Sequence, residues 1–391
     1  MAKWKFQKFF KNMSEKRLLD SLRTWIEIDS RSARSNYNIF RKIIGKKVLL
    51  WAVVKSNAYG HGLVVFSKLM EKFGIDGFCV DSVVEGIALR KVGIKKFILV
   101  LGSTLPERFE EAAQNDITIS ISNFESFKKL SQTKNCPNFH IKIDTGMHRQ
   151  GFYIEDIPDL IKKIKKSNLQ IQKSFKGIFT HFASAKDINY PTYTDLQFEK
   201  IQKAKDLFIK AGFKNLIVHS SATGGTLINK KYHCDAVRIG IGLYGMWPSK
   251  ELEMQLGDKI KLKPILSWRA VVSEIKKLKA GDYIGYDLAE RVHCSMNSIV
   301  LPVGYWHGLY RSLSSFGEVI INGKRARFLG RVSMDMISVG TKYSARQGDI
   351  ATLIGKDGKD EIFAWELAQK AGTSHYEIVT RLNPLIERII V

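Results

Sequence analysis

Eight short apolar runs alternate with helix-patterned segments between residues 48 and 239, and this alternation restricts the fold more than any other feature. The runs are Val48–Val54, Phe78–Val80, Phe97–Leu101, Ile117–Ile121, Phe139–Asp144, Gly177–Phe182, Leu216–His219 and Ala236–Ile239. Ser35–Ile44, Ser82–Val92, Pro106–Asn115, Phe124–Leu130 and Thr194–Ala211 carry helical spacing before or between them. Strands joined through helices run parallel, and eight of them can close on themselves. The expected fold is therefore α/β, a (β/α)8 TIM barrel spanning residues 24–249.

Beyond Pro248 the pattern changes. Alternating stretches at Ile265–Ile275, Ser298–Val303, Glu318–Ile321, Asp335–Val339 and Ile350–Ile354 are punctuated by Asn322-Gly323 and Asp357-Gly358, both hairpin turn signals. They predict a C-terminal, mostly β domain over residues 250–391. Gly317–Lys324 has the wrong glycine spacing for a phosphate loop and lacks the following Ser or Thr, so it reads as a hairpin.

Charge and cysteine content narrow the function. Lys and Arg number 62 against 38 Asp and Glu, a net charge of +24, yet the excess is dispersed. Lys162, Lys163, Lys165 and Lys166, for example, form the solvated face of a helix whose apolar side is Leu160, Ile161 and Ile164. With no basic-aromatic motif, no nucleic-acid partner is expected. Cys79, Cys136, Cys234 and Cys294 stand far apart, which suggests neither a metal site nor a disulfide framework and fits a reducing, cytoplasmic setting. No apolar run has the roughly 18 residues needed to span a bilayer. Residues 1–23 form a basic extension without the apolar core of a signal peptide. Its Trp4, Phe9, Phe10 and Met13 could make an interfacial helix, but a packed or poorly ordered extension is the simpler expectation.

In a parallel barrel the chemistry sits at the carboxyl ends of the strands. Polar residues gather there: Lys55 after the first strand, Lys142 and Arg149 at and after the fifth, His181 in the sixth, His219 at the seventh and Arg238 in the eighth. Any one of them could be an ordinary structural residue, since an isolated lysine is mostly a solvated cap. The loops after the seventh and eighth strands, Ser220–Thr226 (SSATGGT) and Gly240–Gly245 (GIGLYG), are rich in small residues that let backbone amides approach an anion. A lysine that can attack a carbonyl, combined with a phosphate cradle, suggests pyridoxal 5'-phosphate.

The stretch AVVKSNAYGHG, Ala52 to Gly62, resembles the cofactor-lysine signature of the alanine racemases, barrel-fold pyridoxal phosphate enzymes, and the similarity runs from about Thr24 to the C-terminus. The resemblance implies that Lys55 forms the covalent link to the cofactor and acts as one base, and that Tyr59, His181, Thr223, Arg238, Gly240, Ile241 and Tyr376 hold the cofactor. It places Arg149, in KIDTGMHRQG, at the substrate carboxylate, and Lys142 where some members carry a carbamylated lysine. In the second domain it marks Tyr286 as the opposing base, Tyr305 as a substrate-entrance tyrosine and Met334-Asp335 as a substrate-carboxylate loop, all supplied by the partner chain of a homodimer. The implied activity is interconversion of L- and D-alanine, supplying D-alanine for peptidoglycan. An arginine at the ring nitrogen leaves that nitrogen unprotonated and disfavours a decarboxylase on the same plan. Three departures stand out: Ala222-Thr223 in the phosphate loop, Gly285 and Asp287 around Tyr286, and Trp306-His307 after Tyr305. The last leaves open a racemase of broader amino-acid specificity.

Overall fold

Residues 21–391 are described by a computed structural model. The basic extension before them, with Trp4, Phe9, Phe10 and Met13, lies outside the described residues. The described chain starts with strand β1 (Thr24–Ile28), then a helix, Ser30–Ile44, whose N-terminus is capped by Asp29 accepting from the amides of Arg31 and Ser32. Its apolar face, Ala33, Tyr37, Phe40 and Ile44, is buried, while its last turn carries Arg41 and Lys42, favourable at a helix C-terminus.

Eight parallel strands follow: β2 (Leu49–Val53), β3 (Gly77–Val80), β4 (Phe97–Ser103), β5 (Thr118–Ile121), β6 (Phe139–Lys142), β7 (Phe175–Phe179), β8 (Ile217–His219) and β9 (Ala236–Ile239). Each pairs with its sequence neighbour, from β2 round to β8, and β9 returns to pair with β2. The remaining gap, between β8 and β9, is bridged where the Arg238 amide donates to the Ser221 carbonyl at 3.0 Å. The sheet is thus a nearly closed barrel, as the alternation predicts. Inside it Trp51, Val53, Cys79, Leu99 and Ala236 pack together. Gly77 is required beneath this cluster, because a Cβ there would lie 2.9 Å from the Trp51 ring.

The second compact unit is mostly β: β10 (Leu266–Val271), β11 (Glu274–Leu278), β12 (Tyr283–Ile284), β13 (Glu290–Arg291), β14 (Met296–Leu301), β15 (Glu318–Ile321), β16 (Lys324–Leu329), β17 (Ile337–Thr341), β18 (Ile350–Asp357), β19 (Asp360–Ile362) and β20 (Glu387–Ile390). Its main sheet runs β11-β14-β17-β16-β15-β18-β10-β1-β20. Strand β10 alternates buried and half-buried residues, the signature of a sheet with one covered face. The Asn322-Gly323 turn between β15 and β16 holds both residues at positive φ, 52° and 71°, the backbone a tight two-residue hairpin needs.

The compact units divide the chain at 28/29 and 265/266, not at the expected 24 and 250. Strand β1 belongs to the β unit, because it pairs antiparallel with β10 and parallel with β20. Residues 250–265 stay with the barrel: the Asn36 side chain donates to the Lys263 carbonyl at 2.8 Å and accepts from its amide at 2.9 Å. Neither bond could be read from local pattern, since each joins segments more than two hundred residues apart.

Candidate active site

Strand β2 delivers Lys55 to the mouth of the barrel, and the chain then turns in an unusual way. Ser56, Asn57, Ala58 and Tyr59 are all left-handed, with φ of 55°, 57°, 54° and 51°. Each such L-residue costs about 1–2 kcal/mol relative to right-handed backbone, so the turn persists only because its surroundings hold it. Asn57 Oδ1 accepts from the Leu63 amide at 2.9 Å, and the Asn57 carbonyl accepts from Gly62 at 2.9 Å. The Glu85 carboxylate accepts from Ser56 and Asp81 amides, both at 2.7 Å, tying the ends of β2 and β3 together. Strain of this kind, over-determined by its neighbours, is characteristic of functional sites. The Lys55 ammonium faces Asp81 across 3.3 Å.

Arg238 projects from β9 and is almost fully buried, 2% exposed. It donates to His219 Nδ1 at 2.5 Å and to the carbonyls of Thr180 at 2.8 Å and Ser220 at 3.0 Å, and it lies 3.5 Å from His181 Nδ1. None of these partners is a carboxylate. Burial pushes the guanidinium down to about 10, still protonated at neutral pH. Because His219 accepts at Nδ1, its proton sits on Nε2, which donates to His140 Nδ1 at 2.8 Å. Burial, with the Arg238 charge beside them, keeps both imidazoles neutral, His140 down to about 3.

The loop after β6 is shaped by Asp144, whose carboxylate accepts from the amides of Gly146, Met147 and His148 at 2.9–3.0 Å and of Arg149 at 3.2 Å. Burial opposes its charge, but the backbone donors prevail and hold it below the usual carboxylate range. Lys142, Asp144, Met147, Arg149, Thr180 and His181 line one small cleft. Burial first, then Arg149, Arg238 and Lys55, lower the Lys142 amine to about 8; it donates to Gln150 Oε1 at 3.0 Å. Burial and the same cations drive His181 down to about 3, leaving a neutral flat ring.

The two glycine-rich loops meet. The Gly242 amide donates to Thr223 Oγ1 at 3.3 Å, and a Cβ at Gly242 would sit 2.4 Å from Phe40. Gly240 likewise admits no side chain, since its Cβ would lie 2.7 Å from the Tyr59 hydroxyl. The Tyr59 ring lies tilted against Tyr244 with centroids 5.0 Å apart, and burial raises its hydroxyl to about 12, so it stays a neutral donor. Thr223 opens a short helix whose first amides have no intrahelical acceptor.

The barrel thus brings Lys55, Lys142, Arg149, His181 and Arg238 into electrostatic range of one another. Thr223, Gly240, Ile241 and Tyr59 belong to the adjoining loops. Tyr286, Tyr305, Met334, Asp335 and Tyr376 stand on the β unit. There Tyr286 is 71% exposed, Tyr305 44% and Met334 54%. Sequence reasoning missed Asp81, Glu85 and His140. Asp81 was findable, because it follows β3 at the same carboxyl edge as Lys55; the other two reveal themselves only through their hydrogen bonds.

The residues fit pyridoxal phosphate. A buried cation without a carboxylate partner is costly unless polar groups or a ligand compensate it. Arg238 meets neutral acceptors only, and Lys55, Lys142 and Arg149 stand near it, a surplus of positive charge suited to an anionic, phosphorylated cofactor.

Residues 28–248 match the family model described as alanine racemase, N-terminal domain, and residues 265–390 that described as alanine racemase, C-terminal domain. The chain is 36% identical to the alanine racemase of Leptospira interrogans (serovar Lai) over 97% of its own length and 99% of the relative's. It is also 36% identical to that of Halothermothrix orenii, covering 93% of this chain and 96% of the other. Among solved structures, alanine racemase from Bacillus anthracis with bound L-Ala-P superposes with a TM-score of 0.87 at 32% identity, covering 94% and 95% of the two chains. That of Clostridium difficile gives 0.87 at 30%, covering 95% and 96%.

Proposed function

The chain belongs to the alanine racemase family, and from that premise we propose that it interconverts L- and D-alanine with pyridoxal 5'-phosphate, using Lys55 and a partner-chain Tyr286 as opposing bases. The observation that carries the cofactor reading is Arg238, buried at the mouth that holds Lys55 with neutral acceptors around it. When bound, the cofactor supplies an aldehyde for Lys55 and a conjugated ring that accepts the electron pair left by the departing α-proton.

The protein's own part is positioning and proton transfer. Thr223, Gly240, Ile241, Tyr59 and Tyr376 would hold the phosphate, and the neutral His181 ring would pack on the pyridine face. Arg238 would donate a hydrogen bond to the ring nitrogen and keep its own proton, which would leave that nitrogen unprotonated and disfavour side reactions such as transamination or decarboxylation. Arg149, Met334 and Asp335 orient the substrate carboxylate, and Tyr305 borders the entrance. Racemisation removes the α-proton on one face of Cα and returns one on the other, so it needs two bases on opposite sides. Lys55 serves one face and Tyr286 the other.

Homodimerisation is supported by the β unit itself, which exposes Tyr283, Tyr286, Leu288, Tyr305, Trp306 and Met334, each at least 44% accessible. Large apolar side chains clustered on a surface mark an interaction site. Among the described residues no helix is long and apolar enough to cross a membrane. A cytoplasmic enzyme supplying D-alanine for peptidoglycan is consistent with this reading. The exposed Trp306 favours, as a second reading, tolerance of side chains longer than alanine's. The test is to supply pyridoxal phosphate and L-alanine, then other L-amino acids, and follow D-isomer formation and carbon dioxide release. Formation of D-alanine without carbon dioxide is expected; carbon dioxide without D-alanine would replace the racemase reading with a decarboxylase.

Lys142 carries a pH prediction. Carbamylation joins the neutral amine nitrogen to the carbon of carbon dioxide, and the nitrogen releases a proton. With the amine lowered to about 8, its neutral fraction rises as pH passes through that value and falls below it. Labelled bicarbonate should therefore give a carbamate resonance that strengthens from pH 7 to pH 9 and is absent in Lys142→Ala. A spectrum unchanged by the substitution would assign the carbamate elsewhere, and no signal at any pH would mean the lysine acts as a plain cation.

A further inference from the structure

Tyr286 sits at the tip of a hairpin too small to hold itself in place. Strands β12 and β13 share only two residue pairs, Tyr283 with Arg291 and Ile284 with Glu290, and form a sheet of their own. An isolated two-stranded hairpin is marginally stable at best. Something outside the ladder must fix the tyrosine.

The segment 327–335 does so. Glu290, its side chain 15% exposed, accepts from the Gly330 amide at 2.7 Å and from the Arg327 guanidinium. Burial opposes the Glu290 charge, but these donors prevail and hold the carboxyl below its ordinary range. Asp287, the residue after Tyr286, pairs with the Arg331 guanidinium while its backbone stays left-handed at φ 61°. Gly330 lets the strands close, since a Cβ there would lie 2.9 Å from the Ile284 carbonyl. The far end of the same segment grips the next turn: the amides of Tyr305 and Trp306 donate to the carbonyls of Ser333 and Met334, both at 3.0 Å. Gly304 permits that approach, because its Cβ would fall 2.2 Å from the Ser333 oxygen.

We infer that Glu290 and Asp287 are positioning residues that latch the hairpin onto segment 327–335, so that Tyr286, Tyr305 and Met334-Asp335 are presented to the substrate as one rigid set. The inference rests on the reading of Tyr286 as a base. It assigns a purpose to the Asp that stands after the tyrosine, which the sequence alone shows only as a departure.

Asp287→Asn keeps a residue that tolerates left-handed backbone, and Glu290→Gln keeps the shape of the side chain; each removes only the charge. In the double variant, amide hydrogen exchange across residues 281–292 should quicken about tenfold through local opening. Turnover of the cofactor-loaded dimer should fall on the order of tenfold to a hundredfold, with KM for alanine little changed. The α-deuterium isotope effect should grow in one reaction direction and stay as in wild type in the other, because only one of the two bases has lost its position. Exchange and isotope effects equal to wild type would overturn the inference. An isotope effect that grows equally in both directions, together with general destabilisation, would overturn it too, by showing a merely structural role. Tyr286→Phe, assayed in parallel, separates the two levels: full activity there would sink the reading of Tyr286 itself, whereas its loss beside unaffected latch variants would sink the latch alone.

Discussion

Lys55→Ala is expected to abolish both the visible absorption of the cofactor-loaded protein and racemisation, the latter by at least about ten-thousandfold, since covalent capture and one proton transfer are lost together. The geometry makes this loss specific. Lys55 stands two residues beyond the end of β2, and the next four residues are wound left-handed to place it. The supports of that turn, Asn57 to Leu63 and Glu85 to Ser56 and Asp81, use no atom of the Lys55 side chain. Removing the amine therefore leaves the turn intact, and the variant should fold and melt as wild type does. Its one lost contact is the half-exposed pair with Asp81, and a pair so open to solvent contributes at most about 1 kcal/mol. Absorption spectra and D-alanine formation check both halves of the expectation. A variant that keeps its colour would show the cofactor attached elsewhere. A wild type that takes up no pyridoxal phosphate would remove the cofactor from the proposal.

The barrel was legible because its signal is local. Each of the eight apolar runs overlaps an observed strand, and β9 coincides with Ala236–Ile239 to the residue. Strands buried on both faces read as continuous apolar runs, and helices between them leave one connectivity open. The stretch TWIEID, Thr24–Asp29, reads as a short extended piece, but where β1 belongs does not show in it, because its partners β10 and β20 lie more than two hundred residues away. The unit boundary shifted with it. The strand-end rule was enough to gather Lys55, Lys142, His181 and Arg238, because it needs only the strand positions. It did not reach what holds those groups in place. The left-handed turn after Lys55 contains no glycine before Gly60, so no residue type announces it. Glu85 reads as an ordinary first-turn helix acid, and His140 as a residue within a buried strand, until the hydrogen bonds to Ser56, Asp81 and His219 are seen. Likewise Asp287 follows Tyr286 in sequence, but its Arg331 partner lies 44 residues on.

Mixing two inactive variants should restore activity. Lys55→Ala and Tyr286→Phe protomers, purified separately, dissociated and allowed to re-pair, should recover about a quarter of the wild-type rate under two-fold symmetry. Lys55 stands on the barrel and Tyr286 on the β unit, 71% exposed and so available to another chain. If each site takes its lysine from one chain and its tyrosine from the other, a mixed dimer holds one site lacking both bases and one with both present. Random re-pairing makes half of the dimers mixed, and half of their sites are intact. The Phe variant removes one hydroxyl from a side chain that hydrogen-bonds to nothing the latch requires, since Glu290 and Asp287 bind the hairpin through Gly330, Arg327 and Arg331. Its barrel is unaltered, so it should still take up the cofactor and colour. Activity is read before and after mixing, with each variant taken through the same cycle alone. Were Tyr286 to serve its own chain, every site in every dimer would lack one base, and mixing would restore nothing. Recovery near a quarter would at once establish the dimer, the sharing of its sites and the need for both bases.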